Sequence, residues 1–350
     1  MRKGSTGDST ACRSGRRRLL VLAPNWLGDV VMATPLLALL RRAFGEDLIT
    51  AGMRTYAAGL LERCPFIDEL VTWPRGGGVR AAAGELRRCR PGAGWDAAFV
   101  LPPSVSSALT SLLAGARRRI GYGGGLRRML LTDVPAPGTD RTVHLSESYA
   151  RLAGVLGAAV DEIPAPSIVP PYDWRERIER AGLSGMYAVL AAGASYGPAK
   201  VWPARSYAAL AAMLRGAGFE RTALVGSAAE RGDLEKIAGE VHTGVVNLAG
   251  ELDVADLTAV LRGAGVVVGN DSGPVHIAAA MGVPTVALFG STSPAWTAPR
   301  GPRAAAVSIG VDCSPCFRRE CPDGTTRCLG ELTPEAVLET VRETIRGYST

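Results

Sequence analysis

No run of apolar residues in this chain approaches the roughly 20 needed to cross a bilayer as a helix. The longest strongly apolar stretch, Val30 to Leu40, is too short. A secretory signal is also missing: the basic start leads into Ser, Thr and Arg, without a hydrophobic segment or a small-residue cleavage site. Aromatics are scarce at 6%, and small residues take their place, as helices packed closely on sheets require. Lysine is nearly absent. Lys200 is the only one between Lys3 and Lys236, in a chain that otherwise uses arginine. Acidic and basic residues almost balance in the body. Most of the formal charge of +6 sits in residues 1–18, where Arg2, Lys3, Arg13, Arg16, Arg17 and Arg18 face Asp8 alone. The high pI is therefore no argument for a nucleic-acid partner. Residues 1–17 have no aromatics and no helical period, and read as a disordered basic tail. A cytoplasmic protein of one large or two medium domains is expected, with contact to a membrane surface left open.

What is present is a repeated alternation of strand and helix. Leu19 to Leu22, Asp47 to Met53, Asp68 to Thr72 and Trp95 to Leu101 are short apolar strands. Helical segments separate them, which predicts an α/β chain with parallel, doubly wound sheets. Pro164, Pro166, Pro170 and Pro171 then interrupt the pattern, and the alternation restarts at Tyr187. The expected division is a first domain over 18–162, a linker over 163–185 and a second domain over 186–333. Thr333 and Pro334 open a terminal helix, which with 335–350 is free to pack back on the first domain.

Three strand ends attract attention. Val266-Val267-Val268 leads into Gly269-Asn270-Asp271-Ser272-Gly273-Pro274-Val275-His276, a strand, a turn and a helix start. Such a turn offers free N–H groups and the positive end of a helix dipole, which suits a phosphate. It equally suits an ordinary capped helix. Gly28-Asp29 follows the first strand in the same way. Asp29 there is a general-base candidate or a helix cap. The loop Gly193 to Pro203 carries Lys200, a point charge suited to a departing phosphate. It lacks the spacing of a P-loop, and Gly121 to Gly125 lacks the context of a dinucleotide fingerprint.

Cys313, Cys316, Cys321 and Cys328 form a compact cluster. Four thiolates can hold zinc, but structural sites pair two short knuckles across a longer gap. The irregular spacing here favours a reduced structural loop near the cleft over a metal. His144 and His242 show no evident partner in the sequence and read as structural.

Taken together, these motifs resemble those of the bacterial lipopolysaccharide heptosyltransferases of glycosyltransferase family nine, the type II branch most closely. The resemblance rests on Asn25-Trp26-Leu27-Gly28-Asp29 with Met32, and on Gly197-Pro198-Ala199-Lys200 with Trp202-Pro203. It rests equally on Asn270-Asp271-Ser272-Gly273-Pro274 with His276, and on Cys313-Ser314-Pro315-Cys316-Phe317-Arg318-Arg319-Glu320-Cys321-Pro322. It covers the chain from residue 18 onward. It implies a GT-B architecture: two Rossmann-like domains, the first binding the acceptor and the second the sugar nucleotide. Asp29 is then the implied base and Lys200 the implied partner of the leaving ADP. Asp271, Ser272, Gly273 and His276 are implied donor contacts, with Glu230 and Ser195, and Asn25, Trp26 and Gly28 lie on the acceptor side. The implied reaction is inverting transfer of heptose from ADP-heptose to an inner-core heptose of lipopolysaccharide, without cofactor or catalytic metal, at the inner face of the inner membrane. One departure is visible. Where the family often has Pro-Gly-Ala-Glu-Phe, this chain has Ala192-Gly193-Ala194-Ser195-Tyr196, with no carboxylate. The alternatives are another nucleotide sugar or glycan acceptor and, from a different class, a nicotinamide-dependent oxidoreductase.

Overall fold

The computed structural model describes residues 16–347, apart from 91, 93, 137–140, 194, 195 and 242. The first half runs β1 (Arg18–Leu22), α1 (Leu27–Ala43), β2 (Leu48–Arg54), β3 (Glu69–Trp73), α2 (Gly78–Cys89), β4 (Trp95–Val100), α3 (Val105–Leu113), β5 (Ala116–Ile120) and α4 (Leu145–Arg151). Its five strands are parallel, in the order β3-β2-β1-β4-β5. Strand β1 is buried along nearly its whole length, so it reads as an unbroken apolar run and not as an alternation.

The second half follows α5 (Trp174–Arg180). It runs β6 (Tyr187–Ala191), α6 (Ala204–Gly216), β7 (Arg221–Leu224), α7 (Arg231–Val241), β8 (Val245–Asn247), α8 (Val254–Gly263), β9 (Val266–Asn270), α9 (Gly273–Ala280), β10 (Thr285–Leu288), α10 (Pro294–Thr297), β11 (Ala304–Val307), α11 (Arg327–Gly330) and α12 (Pro334–Arg346). Its six parallel strands lie in the order β11-β10-β9-β6-β7-β8. In each sheet the winding reverses beside the first strand of that half, between β1 and β4 and between β6 and β9. Crevices at such reversals are where open parallel sheets bind ligands.

The halves are packed together. Helix α1 lies against α9, and one buried cluster takes in Leu36 and Leu37 from the first half and Ile277 and Ala278 from the second. The connecting segment adds polar stitches: Ser167 N–H donates to Thr34 Oγ1 at 3.0 Å, and Ile168 N–H to the Ala280 carbonyl at 3.4 Å. His144 is structural, as expected. Its Nε2 lies 2.8 Å from the Ala298 carbonyl across the interface, and its Nδ1 lies 2.8 Å from Ser146 Oγ.

Three expectations need correction. Helix α12 does not return to the first domain: it packs on α6 and the β9–β11 edge of the second sheet, burying Val337, Leu338 and Val341. The segment after β2 is a short 3₁₀ turn, Thr55–Leu60, and not a full helix. Of the supposed tail, Arg17 is anchored: its side chain pairs with Asp47 at 2.7 Å and covers the Phe44 ring. The rest of the tail, except Arg16, lies outside the described residues, as does His242.

Candidate active site

The site grows from the end of β9. Its last residue, Asn270, is fully buried and uses both ends of its amide. Oδ1 accepts from Trp202 N–H at 3.0 Å and from the Tyr207 hydroxyl at 2.9 Å, while Nδ2 donates to the carbonyls of Ala192 at 2.9 Å and Gly193 at 3.3 Å. One side chain thus pins both ends of the Lys200 loop to the sheet. Trp202 is itself buried and donates through Nε1 to the Leu332 carbonyl at 3.0 Å. Replacing Asn270 with Ala strands these partners. The expected cost is about 2–4 kcal/mol of stability, read as a lowered denaturation midpoint by urea titration.

So held, Lys200 reaches Asp271. Its Nζ donates to Oδ2 at 2.7 Å and to the Asp271 carbonyl at 3.2 Å. Two hydroxyls join the same oxygen: Thr292 Oγ1 at 2.8 Å and Thr297 Oγ1 at 3.2 Å. His276 Nε2 stands 3.5 Å from Oδ1. Burial alone would raise the Asp271 carboxyl, but contact with His276 and the charge of Lys200 outweigh it and hold the group well below the usual carboxylate range. Asp271 is therefore a fixed negative anchor. Next in the chain, Ser272 is the N-cap of α9, but its side chain makes no capping bond, and its buried Oγ has no partner among the described residues. That hydroxyl and the first N–H groups of α9 are free to meet an anion.

Asp29 comes from the other half, in the first turn of α1. It lines a cavity of about 850 Å³ together with Trp26, Gly28, Lys200, Glu230, Asp271, Ser272, Gly273 and His276. Burial raises its carboxyl to about 6; His276 and Lys200 pull it down, and Asp271 pushes it up. The halves meet closely here. A Cβ built on Gly28 would lie 2.8 Å from His276 Cδ2, so only glycine lets α1 and α9 approach this near.

Most of the expected residues therefore converge. Glu230 lines the cavity, its Oε2 accepting from the Ser227 N–H and hydroxyl at 2.7 Å each. It leans against Gly193, where a side chain would collide with its carboxylate. Asn25 is exposed, one residue before the cavity wall begins at Trp26. Ser195 lies outside the described residues. The cysteine segment packs on the Lys200 loop: Ala199 N–H donates to the Arg319 carbonyl at 3.0 Å, and the Tyr196 hydroxyl to the Phe317 carbonyl at 2.7 Å. Cys313, Cys316, Cys321 and Cys328 are free thiols around a separate cavity of about 550 Å³. Burial and then the other three sulfurs push the Cys328 thiol up. Among the described residues, no group of three or more His, Cys, Asp or Glu side chains is arranged to hold a metal ion.

Sequence reasoning missed Thr292 and Thr297. They follow β10, whose end Gly290-Ser291-Thr292 is one more turn at the carboxyl edge of the sheet, the signal that could have found them. It also missed Arg141, whose guanidinium sits 4.1 Å from the Phe317 ring centroid and 5.1 Å from that of Trp296. This places an arginine of the first half over two aromatic rings of the second, at the wall of the same cavity.

Comparisons with known proteins agree with this architecture. A model of glycosyltransferase family 9 (heptosyltransferase) matches residues 83–326. Lipopolysaccharide heptosyltransferase 2 of Escherichia coli K12 is 30% identical over 343 residues, 92% of this chain and 97% of that protein. Its Salmonella typhimurium counterpart is 31% identical over the same shares. The solved structure of the E. coli ADP-heptose LPS heptosyltransferase II is similar with a TM-score of 0.81 at 28% identity, over 95% of this chain and 100% of that one. A family 9 glycosyl transferase from Veillonella parvula shares the fold with a TM-score of 0.82 at 22% identity, over 95% and 98%.

Proposed function

The chain belongs to glycosyltransferase family 9, the heptosyltransferases, and on that premise we propose that it moves a heptose from ADP-heptose to the inner-core heptose of a lipopolysaccharide acceptor, at the inner face of the inner membrane. Its relatives carry lipopolysaccharide heptosyltransferase in their names, and its GT-B fold is theirs. The observation that carries the reading is the meeting of Asp29 from one half with Lys200, Ser272 and the α9 start from the other, around one cavity.

In the proposed step, the acceptor hydroxyl oxygen attacks the anomeric carbon while the carbon's bond to the diphosphate oxygen breaks. The hydroxyl proton passes to Asp29. The electron pair of the broken bond leaves with ADP. Attack from the face opposite the leaving group inverts the anomeric centre. Lys200 spends two of its three N–H donors on Asp271, which leaves one for a phosphate oxygen. The Ser272 hydroxyl and the α9 terminus supply neutral donors. The carboxylate of Asp271 is turned to Lys200 and the threonines, so its role is to hold the cation and not to touch the diphosphate. Glu230 keeps one oxygen for a ribose hydroxyl, and Ser195 belongs to the same donor side. Trp26 and Gly28 form the acceptor wall, with Asn25 at its edge.

The test is turnover of purified protein with a panel of sugar nucleotides and truncated core acceptors, read by mass spectrometry. ADP-heptose with a heptose-terminated acceptor should turn over fastest. Faster turnover with another nucleotide sugar would overturn the donor assignment, a reading the missing carboxylate in Ala192 to Tyr196 makes worth including. Rate against pH should fall below about 6, as Asp29 takes up a proton. A rate flat through that range would exclude Asp29 as the base.

A further inference from the structure

Residues 97–132 carry five arginines and no carboxylate of their own, although Asp133 at their edge pairs with Arg118 at 2.6 Å. The same stretch supplies four large apolar side chains that stand exposed: Val105 at 45%, Leu112 at 39%, Leu126 at 70% and Met129 at 79%. Leu126 and Met129 belong to the 3₁₀ turn Gly125–Leu130. In a 3₁₀ helix residues three apart eclipse one another, so both leave on one face. Arg128 is exposed beside them, and Arg117 is 64% exposed, 3.5 Å from Asp96.

The turn is braced from behind. Arg127 is buried and donates from its guanidinium to the carbonyls of Tyr122 and, at 2.7 Å, Val100. Arg119 Nε donates to the Leu130 carbonyl at 2.7 Å. Helix α3, which carries Val105 and Leu112, packs on the same turn. A rigid support holding apolar tips outward is the reverse of what water favours. Two exposed arginines, Arg117 and Arg128, beside apolar tips match the boundary of an anionic bilayer, where arginine stems lie along acyl chains and heads meet phosphates. The approach to the turn, Tyr122 to Gly124, also lines the cavity that holds Asp29. The patch thus adjoins the acceptor side of the cleft.

We infer that Gly125–Leu130 is the surface by which this protein docks on an anionic lipid bilayer, with Leu126 and Met129 entering the apolar boundary and Arg117 and Arg128 meeting headgroup phosphates. The inference gains its purpose from the proposed function, whose acceptor is lipid-borne. Vesicle binding is measured without the acceptor, so either can fail alone.

The experiment is co-sedimentation of the full chain with phosphatidylethanolamine–phosphatidylglycerol vesicles and with phosphatidylcholine vesicles. The native protein should bind the anionic vesicles and release as salt rises. The double variant Leu126→Ser/Met129→Ser should lose roughly tenfold of its partitioning. It should keep its turnover on a water-soluble, delipidated acceptor. A Leu126→Trp variant should shift its emission to the blue on anionic vesicles. Undiminished sedimentation of the double variant, or an unshifted tryptophan, would overturn the inference. So would a dimer in light scattering that the double variant breaks, because a second copy would then own the surface.

Discussion

Asp29→Asn is expected to cut transfer by roughly 10²–10⁴, to leave donor binding intact and to raise the melting temperature. The three parts share one cause. Asp29 is a carboxyl that burial holds up at about 6, so ionising it in the folded protein is unfavourable. Between the ordinary carboxyl value and about 6 the folded state holds a proton that the unfolded state has released. Stability therefore falls as pH rises across that window and levels off above it. The amide never ionises, so at neutral pH the variant is spared this penalty, on the order of 1–3 kcal/mol for a group partly open to the cleft. Calorimetry at two pH values checks it: the gain in melting temperature should be present at neutral pH and shrink towards pH 4. Binding titration with ADP-heptose should show unchanged or tighter binding, because a negative charge near the diphosphate has gone. Full turnover in the variant would remove Asp29 from the mechanism.

A double-mutant cycle on Lys200 and Asp271 separates support from chemistry. Lys200→Met alone leaves a buried carboxylate facing two hydroxyls and His276. It should cost about 3–5 kcal/mol of stability and lower kcat by roughly 10²–10³. Adding Asp271→Asn removes the stranded charge, and a large part of the stability should return. The rate should not, because no cation then meets the departing diphosphate. Recovered turnover in the double variant would show that Lys200 serves only to neutralise Asp271.

The sheets, their parallel sense and the α12 start were legible because their signals are local: apolar runs, Gly and Pro boundaries, Thr333 before Pro334. Asp29, Lys200 and Asp271 could be picked out as side chains at strand ends. Their mutual use was not legible. Nothing near Asp271 announces that its partner lies 71 positions earlier, or that Thr292 and Thr297 complete the shell. The destination of α12 escaped for the same reason, because an amphipathic pattern shows that a face is buried but not against what. Family membership set aside the oxidoreductase reading, which similarity of the halves to dinucleotide-binding folds had kept open.

The contact of Gly28 with His276 bears on waste. Asp29 belongs to the first half; Lys200 and the α9 terminus belong to the second. Under the proposed roles, any parting of the halves carries Asp29 away from a donor held by the other side. On that proposal, a closed cleft that admits the acceptor hydroxyl is the condition for breaking the sugar–diphosphate bond, which would spare an activated sugar from futile hydrolysis.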